Sequence, residues 1–220
     1  MELSYWQSRW NKGNIGFHMQ EGYPGLNKHW AALNLSDDSN ILVPLCGKSL
    51  DLIWLADRAK AVVGVEISEK AIHEFIEENN LTAEQDSFAT FSIYKSSNID
   101  LWCGDFFKFP AQKYPPFDLI YDKAALVALP PSMRKRYAEK IVAISAKKTR
   151  ILLHHFVYDQ SEMTGPPFSL SDQEIEELYG NDFDIQILEE NELEIESFQK
   201  FKMRGLKTHF TERLLLLSKR

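Results

Sequence analysis

Two cysteines in 220 residues are too few for a disulfide framework or a cysteine-built zinc site. Cys46 and Cys103 therefore read as small buried residues, and no metal is expected. No apolar run approaches the roughly 20 residues that a membrane-spanning helix needs. Even Leu214 to Leu217 is soon closed by Lys219 and Arg220. A basic excess is absent too: 25 Lys and Arg stand against 32 Asp and Glu, a formal net charge of −7. Nucleic-acid binding led by phosphate contacts needs the opposite sign. The opening Met1-Glu2-Leu3-Ser4-Tyr5-Trp6 has neither the basic n-region nor the apolar h-region of a secretory signal. The expectation is a cytoplasmic protein with a small-molecule partner, engaging neither membrane nor nucleic acid. There is no internal repeat, low-complexity tract or Gly/Ser linker. A hydrophobic content of 44% over this length suits one α/β domain, residues 1–220.

What is present divides at about residue 38. Residues 1–38 are rich in aromatics and punctuated by Gly13, Gly16, Gly22, Pro24 and Gly25. That pattern predicts a short helix, a loop and a second helix laid as a cover or lid over a core at 39–220. In the core, Ile41-Leu42-Val43 is a strand ending at Pro44, and Ser49 to Ala56 has helical apolar spacing. Ala61-Val62-Val63-Gly64-Val65 repeats the cycle into Glu66, after which Ser68 caps a helix to about Asn79. Ile99 to Cys103 and Phe117 to Tyr121 are further strands, followed by turns that contain Asp105 and Asp122. A helix follows Pro130-Pro131-Ser132 to about Ala146, and Arg150 to Val157 is a fifth strand. Strands alternating with helices imply parallel crossovers and a doubly wound α/β sheet. The tail differs. Ser171-Asp172-Gln173-Glu174 has capping-box spacing, and Phe183 to Leu188 and Phe210 to Leu217 predict an antiparallel hairpin at a sheet edge. Residues 189–207 read as a long charged connection, with Glu189 to Glu196 a solvated surface.

In such sheets ligands bind beyond the carboxyl ends of the strands. Gly47-Lys48-Ser49 suggests a phosphate loop, but that motif's first glycine would fall at position 42, where Leu42 sits within the strand. A dinucleotide turn needs three glycines, and only Gly47 is present. A pyrophosphate is thus disfavoured. Glu66, at the end of the second strand, can accept both hydroxyls of a ribose. Cys103-Gly104-Asp105-Phe106 offers a carboxylate to an exocyclic amine and an apolar ring to a base. Taken singly, an acid after a strand is equally a helix cap. Together, ribose and adenine without pyrophosphate describe S-adenosylmethionine.

Several blocks resemble the thiopurine S-methyltransferase family. They are Trp6-Gln7-Ser8-Arg9-Trp10 with Gly13, Ile15-Gly16-Phe17-His18, Val43-Pro44-Leu45-Cys46-Gly47-Lys48-Ser49 and Val63 to Ser68, followed by Tyr121 to Ala128 and Gly165-Pro166-Pro167-Phe168. The Pro-Leu-Cys-Gly-Lys block is the most specific, and the blocks span the chain in the family's order. The resemblance implies a class I methyltransferase fold: a mostly parallel seven-stranded sheet with an antiparallel strand near the C-terminus. It implies methyl transfer to the sulfur of aromatic and heterocyclic thiols, with selenium and tellurium oxyanions as further acceptors in bacterial relatives. It also implies a monomer. Cofactor contacts are implied at Trp10, Leu45, Glu66 and position 123, with Phe17 near the acceptor; Gly47 and Asp105 join them from the strand-end reading above.

At 123 this chain departs from the family, which usually has arginine. Lys123 keeps the charge and loses the planar fork. Transfer from a sulfonium needs alignment and exclusion of water more than a protein nucleophile. Lys123 is therefore read as holding the acceptor's negative charge, and Asp122 as orienting a water or Lys123. Trp10 and Phe17 either pack on the cofactor and a flat acceptor or simply pack the first helix. Pro166 and Pro167 either border the acceptor or stiffen the approach to Ser171. His154 and His155 alternate across a strand and do not share a ligand. An O- or N-methyltransferase of another small molecule remains an alternative, and so does a non-catalytic binder of S-adenosylmethionine.

Overall fold

The computed structural model describes residues 3–194, 196 and 199–220, whose contacts gather into two compact units, Met1–Tyr121 and Asp122–Arg220. The first opens with α1 (Leu3–Asn11) and α2 (Pro24–His29), as expected of the cover. Pro24 starts α2 because a first-turn N–H has no helical partner to lose. Then come β1 (Asn40–Pro44), α3 (Asp51–Ala56), β2 (Ala61–Glu66), α4 (Glu69–Glu78), β3 (Glu84–Phe88), β4 (Phe91–Ser96), β5 (Ile99–Cys103) and β6 (Phe117–Lys123). The chain crosses into the second unit within β6, after Tyr121.

Sheet order in the first unit is β3-β4-β5-β2-β1-β6. β1 runs parallel to β2 and β6, and β2 parallel to β5. β1 and β2 are almost wholly buried, and for that reason they read as unbroken apolar runs instead of alternating ones. α4 is capped as predicted, the Ser68 hydroxyl accepting the Ala71 N–H at 3.3 Å. Its Ala71, Ile72 and Phe75 are buried, the two larger side chains contributing about 1.5–3 kcal/mol each.

The antiparallel β3–β4 hairpin, and the pairing of β4 with β5, were not foreseen. β3 is exposed along its whole length and polar in Glu84-Gln85-Asp86-Ser87, so it carries no hydrophobic period to read. Nine strands are thus present among the described residues, not the expected seven, and the pairing is mixed instead of mostly parallel.

The second unit contains α5 (Pro131–Ile144), β7 (Ser145–Tyr158), α6 (Asp172–Tyr179), β8 (Phe183–Leu193), α7 (Gln199–Met203) and β9 (Phe210–Lys219). β9 lies between β7 and β8 and is antiparallel to both, which realises the predicted hairpin. β8 continues past Leu188 to Leu193 through a register shift between Ile187 and Glu189. The long connection is therefore strand and short helix over much of its length; Ile195, Ser197 and Phe198 lie outside the described residues. Tyr158, Met163, Leu206 and Phe210 form a local core joined by Phe156, Leu193 and Phe201. No helix among the described residues is long and apolar enough to cross a membrane.

Candidate active site

In the first unit the predicted cofactor residues converge on the ends of β1, β2 and β5. The turn after β1 places Leu45 at φ 49° and Gly47 at φ 54°. Only the second is costless; Leu45 holds a left-handed conformation that costs a branched side chain on the order of 1 kcal/mol. Gly47 N–H donates to Glu66 Oε2 at 2.9 Å, and Ser68 N–H to Glu66 Oε1 at 2.8 Å. One carboxylate thus ties the end of β2 to the turn after β1. Burial pushes the Glu66 carboxyl above the usual carboxylate range, against the pull of the N–H groups of Ser68, Gly47 and Ile67. Gly104 N–H donates to the Glu66 carbonyl at 2.8 Å, which brings Asp105 to the same rim. Asp105 is half-buried, and its Oδ1 caps the following turn by accepting the Phe107 N–H at 3.0 Å.

Trp10 closes this arrangement. It is 2% exposed, and a Cβ at Gly47 would lie 3.1 Å from its ring. Phe17 packs edge-on against both Trp6 and Trp10, with centroids 5.4 and 5.5 Å apart, yet is 41% exposed. It presents a ring to solvent beside the buried indole. A cleft of about 480 Å³ lies between α1 and the start of α4, lined by Gln7, Asn11, Ser68, Glu69, Lys70 and His73. Of these only Gln7 and Ser68 stood in the blocks read from the sequence, neither as a site residue, because polar side chains on helix surfaces carry no signal of convergence.

These residues fit an unphosphorylated adenosine. Each Glu66 oxygen has one backbone donor and retains a lone pair for a hydroxyl. Buried Phe106 and Trp10 supply apolar surface. Lys48, the one base of the turn, is committed to Glu74 at 2.9 Å and Glu78 at 2.6 Å, so it offers nothing to a pyrophosphate. The thiols of Cys46 and Cys103 are both raised by burial, the latter to about 12, and both are inert at neutral pH; Cys46 is buried and Cys103 half-buried.

In the second unit, Asp122 is fully buried. Its Oδ1 accepts the N–H groups of Ala125 and Leu126 at 3.1 and 3.0 Å, and its Oδ2 the Tyr137 hydroxyl at 2.7 Å. Burial raises its carboxyl to about 6, opposed by those donors. It braces the turn that follows Lys123, the last residue of β6, where Ala124 takes φ 62°. The loop carrying Pro166 and Pro167 meets the same segment. Phe168 N–H donates to the Val127 carbonyl at 2.7 Å, and the Tyr158 hydroxyl donates to the Pro167 carbonyl at 2.7 Å. The Gly165-Pro166 and Pro166-Pro167 bonds are both cis. His154 Nε2 and Glu212 Oε1 are 2.6 Å apart, and His155 is buried with neither ring nitrogen hydrogen-bonded. No group of three or more His, Cys, Asp or Glu among the described residues is placed to hold a metal.

Known proteins share both the sequence and the fold. A family model for thiopurine S-methyltransferase matches residues 1–220. The thiopurine S-methyltransferase of Pseudomonas fluorescens is 42% identical over 217 residues, covering 99% of each chain, and that of Azotobacter vinelandii is 43% identical over 220 residues, covering 100% of each. Among solved structures, a 1,6-didemethyltoxoflavin N1-methyltransferase of Burkholderia thailandensis, with bound 1,6-didemethyltoxoflavin and S-adenosylhomocysteine, is similar with a TM-score of 0.64 and 14% identity. It aligns with 99% of this chain and 87% of its own. A methyltransferase of Anabaena variabilis gives a TM-score of 0.62 at 12% identity, over 99% of this chain and 95% of its own. At those identities the likeness establishes a class I methyltransferase fold. With the full-length sequence match, it follows that the chain belongs to the thiopurine S-methyltransferase family.

Proposed function

We propose that Glu66 anchors the ribose of S-adenosylmethionine and that Lys123 holds the acceptor in this S-adenosylmethionine-dependent methylation of thiopurine-type sulfur. When bound, S-adenosylmethionine supplies an electrophilic methyl group on a sulfonium. The protein contributes alignment and a dry site. Glu66 accepts from the ribose hydroxyls, the backbone of Leu45 to Gly47 bounds the amino-acid end, Asp105 and Phe106 receive the adenine, and Trp10 covers the whole. The observation that carries this reading is the Glu66 carboxylate shared between Gly47 and Ser68, with a lone pair left on each oxygen.

For the acceptor, a heterocyclic thiol ionises near neutral pH by its own chemistry, so a strong protein base is unnecessary. Lys123 stabilises the thiolate, Phe17 stacks on a flat ring, and Pro166 and Pro167 border it. Asp122 acts as a positioning residue: its oxygens are occupied by Ala125, Leu126 and Tyr137, and through them it fixes the backbone beside Lys123. Selenite and tellurite extend the acceptor range. We read residues 1–220 as one domain, a reading supported by a family model that runs the length of the chain, and take the protein to act as a cytoplasmic monomer.

Calorimetry with Glu66→Ala tests the cofactor reading. Loss of the ribose hydrogen bonds weakens S-adenosylmethionine binding by about 100-fold, and unchanged affinity refutes it. Incubation of thiopurines, thiophenols, phenols, selenite and tellurite with labelled cofactor, read by product mass, tests the acceptor. Label on a phenol and on no thiol overturns the sulfur assignment. Lys123→Ala with undiminished kcat/KM for an anionic thiol removes Lys123 from the acceptor site.

A further inference from the structure

We infer that Arg134 is a positioning residue for the methyl acceptor, acting through the Gly165-Pro166-Pro167-Phe168 loop; this rests on the reading that Pro166 and Pro167 border the acceptor. Arg134 lies on α5, is 2% exposed and holds three separate pieces of the second unit. Its Nε donates to the Leu129 carbonyl at 3.0 Å, in the segment that follows Lys123 and Ala124. Its Nη1 reaches both oxygens of Glu174 on α6, each at 2.7 Å. The guanidinium carbon lies 5.6 Å from the centre of the Phe168 ring.

Those contacts define a chain of constraint. Phe168 is pinned on its backbone side by Val127 and on its ring side by Arg134, while Pro167 is pinned by Tyr158. Arg134 therefore sets the distance between the proline pair and the segment that follows Lys123 at the end of β6. A lysine cannot do this, because a single ammonium cannot serve the Leu129 carbonyl and the Glu174 carboxylate as Nε and Nη1 do together, and it lacks the flat face for a ring.

The remaining amino group strengthens the case. Nη2 is buried and has no hydrogen-bond partner. An arginine retained only to satisfy a core would not be left under-bonded. The orientation of this one is dictated by the Glu174 carboxylate, the Leu129 carbonyl and the Phe168 ring, at the expense of Nη2. Geometry near the loop is held in preference to a full set of hydrogen bonds.

Steady-state kinetics with 6-mercaptopurine, alongside calorimetry with S-adenosylmethionine, test the role in the intact chain. Arg134→Lys raises the acceptor KM about tenfold, with kcat at saturation and the cofactor Kd each within about twofold of the parent. Glu174→Gln, which removes the ion pair and keeps the arginine, moves the acceptor KM in the same direction by about threefold. Pro167→Ala is the control for the loop itself. If Pro167→Ala raises the acceptor KM while Arg134→Lys and Glu174→Gln do not, the loop borders the acceptor and the Arg134 proposal fails. If Pro167→Ala leaves the acceptor KM unchanged, the loop reading fails and the proposal falls with it. Loss of kcat in proportion to folded fraction, with KM constant, reduces Arg134 to a structural residue and overturns the proposal too.

Discussion

Tyr121 donates its hydroxyl hydrogen to Asp51 Oδ2 over 2.9 Å, and the other oxygen of the same carboxylate accepts the Tyr23 N–H at 2.7 Å. The Ser49 hydroxyl lies 3.1 Å from Oδ2. One buried side chain thereby gathers the N-terminal cover, the turn after β1 and the strand β6. Asp51→Ala leaves three donors without an acceptor and is expected to destabilise the fold by about 3 kcal/mol. Asp51→Asn, which can still accept from Tyr23, costs less. Urea midpoints of the two variants measure this, and equal midpoints for parent and alanine variant contradict it.

Gly47→Ala combines two penalties. The residue stands at φ 54°, and the new Cβ meets the Trp10 ring at 3.1 Å. A stability loss of about 1–2 kcal/mol is expected from the backbone alone. Displacement of Trp10 adds a weaker hold on S-adenosylmethionine, of about tenfold in Kd. A variant with parental stability and affinity would show that the turn relaxes freely.

Asp122 makes stability depend on pH in an unusual direction. Its carboxyl titrates near 6 when folded, against about 3.9 in an unfolded chain. Between those values the unfolded chain has released a proton that the folded one keeps. Its contribution is therefore full below about pH 4 and is lost as pH rises through about 6, a total of about 3 kcal/mol. Asp122→Asn removes that slope. Denaturation of both proteins from pH 4 to 8 reads it out, and parallel profiles would rule out a raised carboxyl.

His155 gives a slope of opposite sign. Burial, then the neighbouring His154 and Arg213, hold its imidazole down at about 3. The unfolded chain takes up a proton below about pH 6.5 that the folded chain refuses, so stability is lost as pH falls from there toward 3. His155→Leu abolishes this loss, and its advantage over the parent grows from pH 8 to pH 5 by about 2 kcal/mol. A difference that is the same at both pH values counts against the buried neutral ring.

The sequence made the strand ends legible because they combine two local signals, an unbroken apolar run and a polar residue just past it. Glu66, Gly47 and the Ser68 cap were readable in this way, as was Ser171, whose hydroxyl accepts the Glu174 N–H at 3.2 Å. The hairpin of β8 and β9 was readable from two apolar segments with no strong helical pattern between them; the short α7 that lies there left no such signal. What escaped was long-range. Asp51 finds its partners 28 and 70 residues away, and Arg134 meets Glu174 40 residues away. No window of sequence contains both halves of such pairs. The β3–β4 hairpin escaped for another reason: an exposed outer strand needs no hydrophobic face, so it leaves no period behind.

β8 forms one margin of its sheet, and along it the chain places Glu189, Glu190 and Glu192, just after the slipped register. A second extended segment trying to extend the ladder from that side would meet a kinked template and a row of negative charge. Edge-to-edge pairing of two copies of the chain along β8 is thereby disfavoured.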